Sequence, residues 1–268
     1  MAMKAGMRRA ALVAGLVLVA VTAASCGESS NASAPKSTTA DGASSSTAQD
    51  PFCDKWVEVD GEGQKLSDPS VPPDVRTQAA GAVVAALDAA PAPDAITTDV
   101  STIKAGIQPI TNGESGDTES PEFTSAQLAV GRWVHSECAF QTVELSTEEY
   151  HYSNLPDTLE SGVTSFAIEN HGNEPHMMLL AKVDPKVNKS LDELIQESST
   201  SDGTPEGVTE MGGGGIAMPG STGYFTVDLE PGRYAIVCPL PVGWNGQGPP
   251  PEAPPHMTQG MAAEFTVE

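Results

Sequence analysis

At 268 residues the chain has room for one or two domains. Its 13 Lys and Arg stand against 36 Asp and Glu, a formal net charge of −23 at pH 7, which argues against nucleic acid or an anionic membrane surface as an electrostatic partner. Acidity of this kind names no partner by itself.

The first stretch reads as a targeting signal. Lys4, Arg8 and Arg9 give a positive opening, and residues 10–20 form an apolar run too short for a membrane span. A signal peptide is therefore expected over residues 1–25. It closes on Val21-Thr22-Ala23-Ala24-Ser25-Cys26-Gly27, which resembles a bacterial lipoprotein signal, although Ala23 and Ser25 depart from the residues usual at their positions. The resemblance implies that Cys26 carries a lipid and that the protein is anchored on the extracytoplasmic face of the cell membrane. The alternative is ordinary secretion with cleavage after a small residue. Residues 26–50, rich in Ser, Ala, Thr and Gly, cannot bury a core and read as a disordered tether.

A helical domain is expected over residues 51–141. Asp50 followed by Pro51 is a helix start, and Phe52, Trp56 and Val59 then share one face. A second, alanine-rich segment covers about residues 75–90. Asp94 is expected to cap a third, in which Ile96, Val100, Ile103 and Ile107 recur at helical spacing. A fourth, about residues 121–140, aligns Val130, Val134 and Cys138. Together they predict a small α-helical bundle with a thin core. Glu58, Asp60 and Glu62 read as a solvated face, and His135 as a partly exposed residue rather than a ligand. No catalytic constellation appears in this part.

From about Gln141 the period turns strand-like. Residues 163–169 and 223–229 alternate, 177–183 are an apolar run broken only by Lys182, 234–238 follow a Pro231-Gly232 turn, and 262–267 close the domain. Short strands between turn signals indicate a β-sandwich over residues 142–268. Ser190-Leu-Asp-Glu193 is a capping box opening a helix to about Glu197. Residues 203–215 read as a flexible, Gly-rich insertion, without the lysine and the strand–loop–helix setting of a phosphate loop.

Asn170-His-Gly-Asn-Glu-Pro-His176, Cys238-Pro and His256-Met-Thr-Gln-Gly-Met261 carry the chemistry. A thiolate and two imidazoles with a weak thioether suit copper in both oxidation states. In the order N-x-G-x-x-P-H, then C-P, then H-x-x-x-G-M, these residues resemble the cupredoxin family of blue copper proteins. The resemblance implies an all-β Greek-key sandwich and one copper ion. His176 and His256 would be its imidazole ligands, Cys238 its thiolate and Met261 its axial thioether, with Asn170 stabilising the adjoining loop. One departure is a 17-residue, seven-proline segment between Cys238 and His256, which leaves His256 less firmly held than a short loop would. Trp244 within it either packs over the site or is exposed for recognition.

With Cys26 given to lipid and Cys238 to metal, Cys53 and Cys138 remain as a disulfide pair in an oxidising compartment. Five histidines, two of them used at this site, cannot build a further trinuclear copper cluster. The resemblance thus implies single-electron transfer by a carrier rather than an enzyme, with an unknown redox or copper-exchange protein as partner. The alternatives are copper capture or delivery, favoured by Met177, Met178, Met211, Met218, Met257 and Met261, and a metal-free interaction module.

Overall fold

The computed structural model describes residues 49–67, 71–200, 203–248 and 251–268. The signal, Cys26 and most of the tether lie outside them. Among the described residues no helix is long and apolar enough to cross a membrane.

The helical part follows its start signals. Asp50 accepts a hydrogen bond from Phe52 N at 2.9 Å, and Pro51 opens α1 (Pro51–Ser67). α2 (Pro73–Ala89) also begins on a proline. The third segment starts differently from expectation. Asp94–Ile96 form a 3-10 turn and α3 (Thr97–Ile107) follows without a side-chain cap, so Asp94 begins the turn instead of capping the helix. Ser120 caps α4 (Pro121–Glu137), its Oγ accepting from Phe123 N at 3.3 Å. Phe52, Trp56, Val83, Leu87, Ile103, Val130 and Val134 are buried together. Cys53 and Cys138 are disulfide-bonded, joining the start of α1 to the end of α4.

Among the described residues nine strands make two sheets: β1 (Gln141–Glu148), β2 (His151–Ser153), β3 (Thr158–Leu159), β4 (Gly162–Asn170), β5 (Leu179–Val183), β6 (Val208–Gly213), β7 (Thr222–Leu229), β8 (Gly232–Val237) and β9 (Ala262–Val267). One sheet runs β2-β1-β4-β7 and the other β3-β9-β8-β5-β6. Pairing is mixed, since β1 runs parallel to β4 and β3 parallel to β9. Phe166, Ile168, Phe225 and Val227 of the first sheet share a core with Leu180, Tyr234, Ile236 and Phe265 of the second.

The described residues form one compact unit in which α1 and α4 lie against the first sheet. This explains why β4 is buried at consecutive positions from Thr164 to Ile168: inner positions face the second sheet, while Ser165 meets His135 of α4, Oγ to Nδ1 at 3.0 Å. β7 is an edge strand, and edges need cover. Asp60 of α1 supplies some of it, accepting from Thr226 N at 2.8 Å. Asp60 therefore does not belong to a solvated face as its polar neighbours suggest. Burial pushes its carboxyl up to about 7, against the lowering effect of the Thr226 hydrogen bonds. Gln64, one turn on, exchanges two hydrogen bonds with the backbone of Gly213, at 2.9 and 3.2 Å.

The Gly-rich stretch also departs from expectation. Residues 208–213 are not an insertion but strand β6, paired with β5 across a bulge. Between β5 and β6 lies α5 (Leu191–Thr200), opened by the expected capping box: Glu193 N donates to Ser190 Oγ at 3.3 Å and Ser190 N to Glu193 Oε2 at 2.8 Å.

Candidate metal centre

The ends of β4 and β8 and the start of β9 bring three loops together. The first hangs from Asn170, which is fully buried. Its Nδ2 donates to Glu174 O at 2.8 Å and to Ala217 O at 2.7 Å, and its Oδ1 accepts from Gly172 N at 2.8 Å. One amide side chain thus pins both ends of a tight turn. His176 is then fixed by two reciprocal backbone bonds to Ala217, at 3.0 and 2.8 Å. Gly172 sits close against this turn: a Cβ would lie 2.7 Å from Oε1 of the exposed Glu149 side chain, which would have to shift, and 3.0 Å from His176 Nε2.

Cys238 directly follows β8. Its N–H donates to Met261 O at 3.1 Å, and its carbonyl accepts from Met257 N at 2.9 Å. His256 opens a 3-10 turn that ends at Gly260, whose φ of 111° is left-handed and suits glycine. Met261 N donates back to His256 O at 3.1 Å.

The long proline segment does not loosen His256. It is pinched at its base, where Val242 N donates to Pro254 O at 3.0 Å and His256 N to Leu240 O at 2.8 Å. Ring closure therefore happens beside Cys238, whatever the length beyond it. Trp244 stays within the segment, Nε1 donating to Gly248 O at 3.3 Å.

The result is a closed cluster. The candidate ligand atoms of His176, Cys238 and His256 all lie within 4.8 Å of one another. His176 Nδ1 is 3.2 Å from His256 Nδ1, which is 3.4 Å from Cys238 Sγ. His176, Cys238 and Met261 are 0% exposed and His256 1%.

Burial, then His256, push His176 down to about 4, so its imidazole carries no charge near neutrality. Burial pushes the Cys238 thiol up, partly offset by the backbone N–H groups of Met177 and Leu240. His256 Nε2 lies 3.0 Å from Glu174 Oε2. Since a carboxylate only accepts, Nε2 is the donor, and in the neutral imidazole Nδ1 then presents its lone pair inward. His176 Nε2 is buried with no hydrogen-bond partner among the described residues. Two inward imidazole nitrogens beside a thiol form a donor set that a soft or borderline cation satisfies. The residues present therefore fit a metal ion.

Sequence reasoning located His176, Cys238 and His256, which come together, and Met261, which is buried in the same core cluster as Cys238. It missed Glu174, Glu149 and Tyr150. Glu174 lies inside the histidine motif, but nothing local marks it; Tyr150 is marked only by its positive φ of 62°. His151 and His171 are exposed and outside the cluster.

No protein-family profile matches the chain, and no curated protein does. Solved structures similar to it include a dithionite-reduced auracyanin from the photosynthetic bacterium Roseiflexus castenholzii, 20% identical over 48% of this chain and 98% of that one, with a TM-score of 0.33. Auracyanin B is 18% identical over 48% of this chain and 88% of its own, with a TM-score of 0.31. Auracyanin A, a "blue" copper protein from Chloroflexus aurantiacus, is 16% identical over 47% and 98%, with a TM-score of 0.30. Likeness at this level leaves the chemistry to be argued from the site itself.

Proposed function

We propose that the chain is a single-copper electron carrier of the cupredoxin kind, held by lipid on Cys26 at the outer face of the cell membrane. The observation that carries the reading is the buried convergence of one ring nitrogen from each of two histidines and one Sγ within 4.8 Å. His176, His256 and Cys238 would hold the ion, with Met261 as the weak fourth donor. Zinc is the obvious competitor, but a structural zinc site asks for four strong ligands, and the nearby Glu174 carboxylate is engaged with His256, Gly243 and Tyr150. Bound there, copper would supply a one-electron change between its cuprous and cupric states.

The chain's own part is to resist rearrangement. His176 is tied to Ala217, His256 to Leu240, and Met261 to Cys238 by backbone hydrogen bonds, so each donor is held before any ion arrives. Met177 and Leu240 direct backbone N–H groups at Cys238 Sγ, which favours the thiolate that metal binding requires. The partner is a redox protein, and the acidic surface supports one that is not nucleic acid.

Titration of the purified protein with Cu(II) is the test. An intense visible thiolate-to-copper band, lost in Cys238→Ser, is the expected result; full affinity and colour in that variant would refute the site. Copper delivery is the second reading, favoured by Met218, a thioether 39% exposed whose methyl packs at Gly246 of the long loop. Tight Cu(I) binding with no coloured Cu(II) form would select it.

A further inference from the structure

The carboxylate of Glu174 reaches three residues around this site, His256, Gly243 and Tyr150. Its Oε2 accepts from Gly243 N at 2.8 Å and lies 3.0 Å from His256 Nε2. Its Oε1 accepts from Tyr150 OH at 3.3 Å, and the Tyr150 ring packs on the His256 ring with centroids 4.9 Å apart. The backbone of Glu174 is fixed as well: its carbonyl accepts from Asn170 Nδ2 at 2.8 Å, and its N–H donates to Glu149 Oε1 at 3.1 Å. Both ends of this residue are therefore held, and the carboxylate has little freedom to swing away from the imidazole.

We infer that Glu174 is a positioning residue of the metal centre, selecting the Nε2–H tautomer of His256 so that the Nδ1 lone pair faces Cys238 and His176. The same carboxylate ties the proline loop to that ring through Gly243, so one side chain sets the ligand's tautomer, its orientation and the closure above it. Outer partners of this kind raise the basicity of a ligating imidazole. A negative charge on the far side of His256 also favours the more positive of two metal states, which lowers the reduction potential.

The functional half rests on the copper reading, while the tautomer half does not, and the experiment separates them. In the metal-free, 15N-histidine-labelled protein, His256 should show a protonated Nε2 and an unprotonated Nδ1. Glu174→Ala should mix the two tautomers, and Glu174→Gln, whose amide oxygen still accepts, should keep the original one. In the copper-loaded protein Glu174→Ala should lose affinity by about 10–100-fold, and Glu174→Gln should keep its colour at a higher potential. An unchanged tautomer in Glu174→Ala would overturn the positioning role. Should that variant fail to fold, an unchanged potential in Glu174→Gln would overturn the charge role by itself. Failure of the parent protein to bind copper would overturn only the copper reading, because the tautomer measurement would still stand or fall on its own.

Discussion

Gly172 and Met261 show how differently two motif residues act. Gly172 packs closely: an added Cβ would press on Glu149 Oε1 at 2.7 Å, which can shift, and on buried His176 Nε2 at 3.0 Å. Gly172→Ala should therefore cost about 1–3 kcal/mol of stability, the usual scale of overpacking, and weaken copper binding, read by chemical denaturation and copper titration. Unchanged values in both would show that the turn yields freely. Met261 would be the weak donor. Met261→Leu should keep the visible band while raising the reduction potential, because a thioether donor to the cupric state is lost; a bleached variant would make Met261 a strong ligand instead. The glycine and the methionine were both legible in the sequence as parts of a spaced pattern. Glu174 was not, because its meaning depends on Gly243 and His256, 69 and 82 residues away.

Among the elements, α1 carries the clearest example of a role hidden by local pattern. Glu58, Asp60 and Glu62 look alike in the sequence, yet only Asp60 faces the edge of β7. Its folded pKa is raised to about 7 from an ordinary 3.8. Between those values the folded chain keeps a proton that the unfolded chain has released. The contribution to stability is thus complete below the lower value, falls as pH rises through the window, and is level above about 7. The loss should be on the order of 4 kcal/mol. Asp60→Asn keeps an acceptor for Thr226 and removes the charge, so its unfolding free energy should not fall across that window; a parallel fall in both proteins would assign the effect elsewhere. Strand β6 was illegible for a related reason. Glycines weaken strands in isolation, but a Cβ at Gly213 would sit 2.4 Å from Met178 O, a closeness that only the folded pairing reveals. The capping box of α5 was legible because both of its partners lie within four residues. His256 is the converse case, since the prolines were visible while the hydrogen bonds pinching their base were not.

Across the whole molecule, the disulfide spans 85 residues of chain, and in the chain-entropy account reducing it should cost roughly 3 to 5 kcal/mol. Denaturation with and without reductant measures that, and equal midpoints would deny the bond a stabilising role. If the lipid reading of Cys26 holds, Cys26→Ala should release the protein from membrane fractions or leave its signal uncleaved; membrane retention with a processed N-terminus would oppose it. The order of parts along the chain has a consequence for biogenesis. Both cysteines of the bond precede β1, which begins at Gln141. A chain delivered N-terminus first can therefore complete and lock its helices before any strand emerges. When β7 arrives, much later, the surface that shields it is already standing, and its open edge has little time to recruit a second chain. Refolding from the reduced, full-length state forfeits that head start, and light scattering should detect more aggregate there than in refolding with the bond intact.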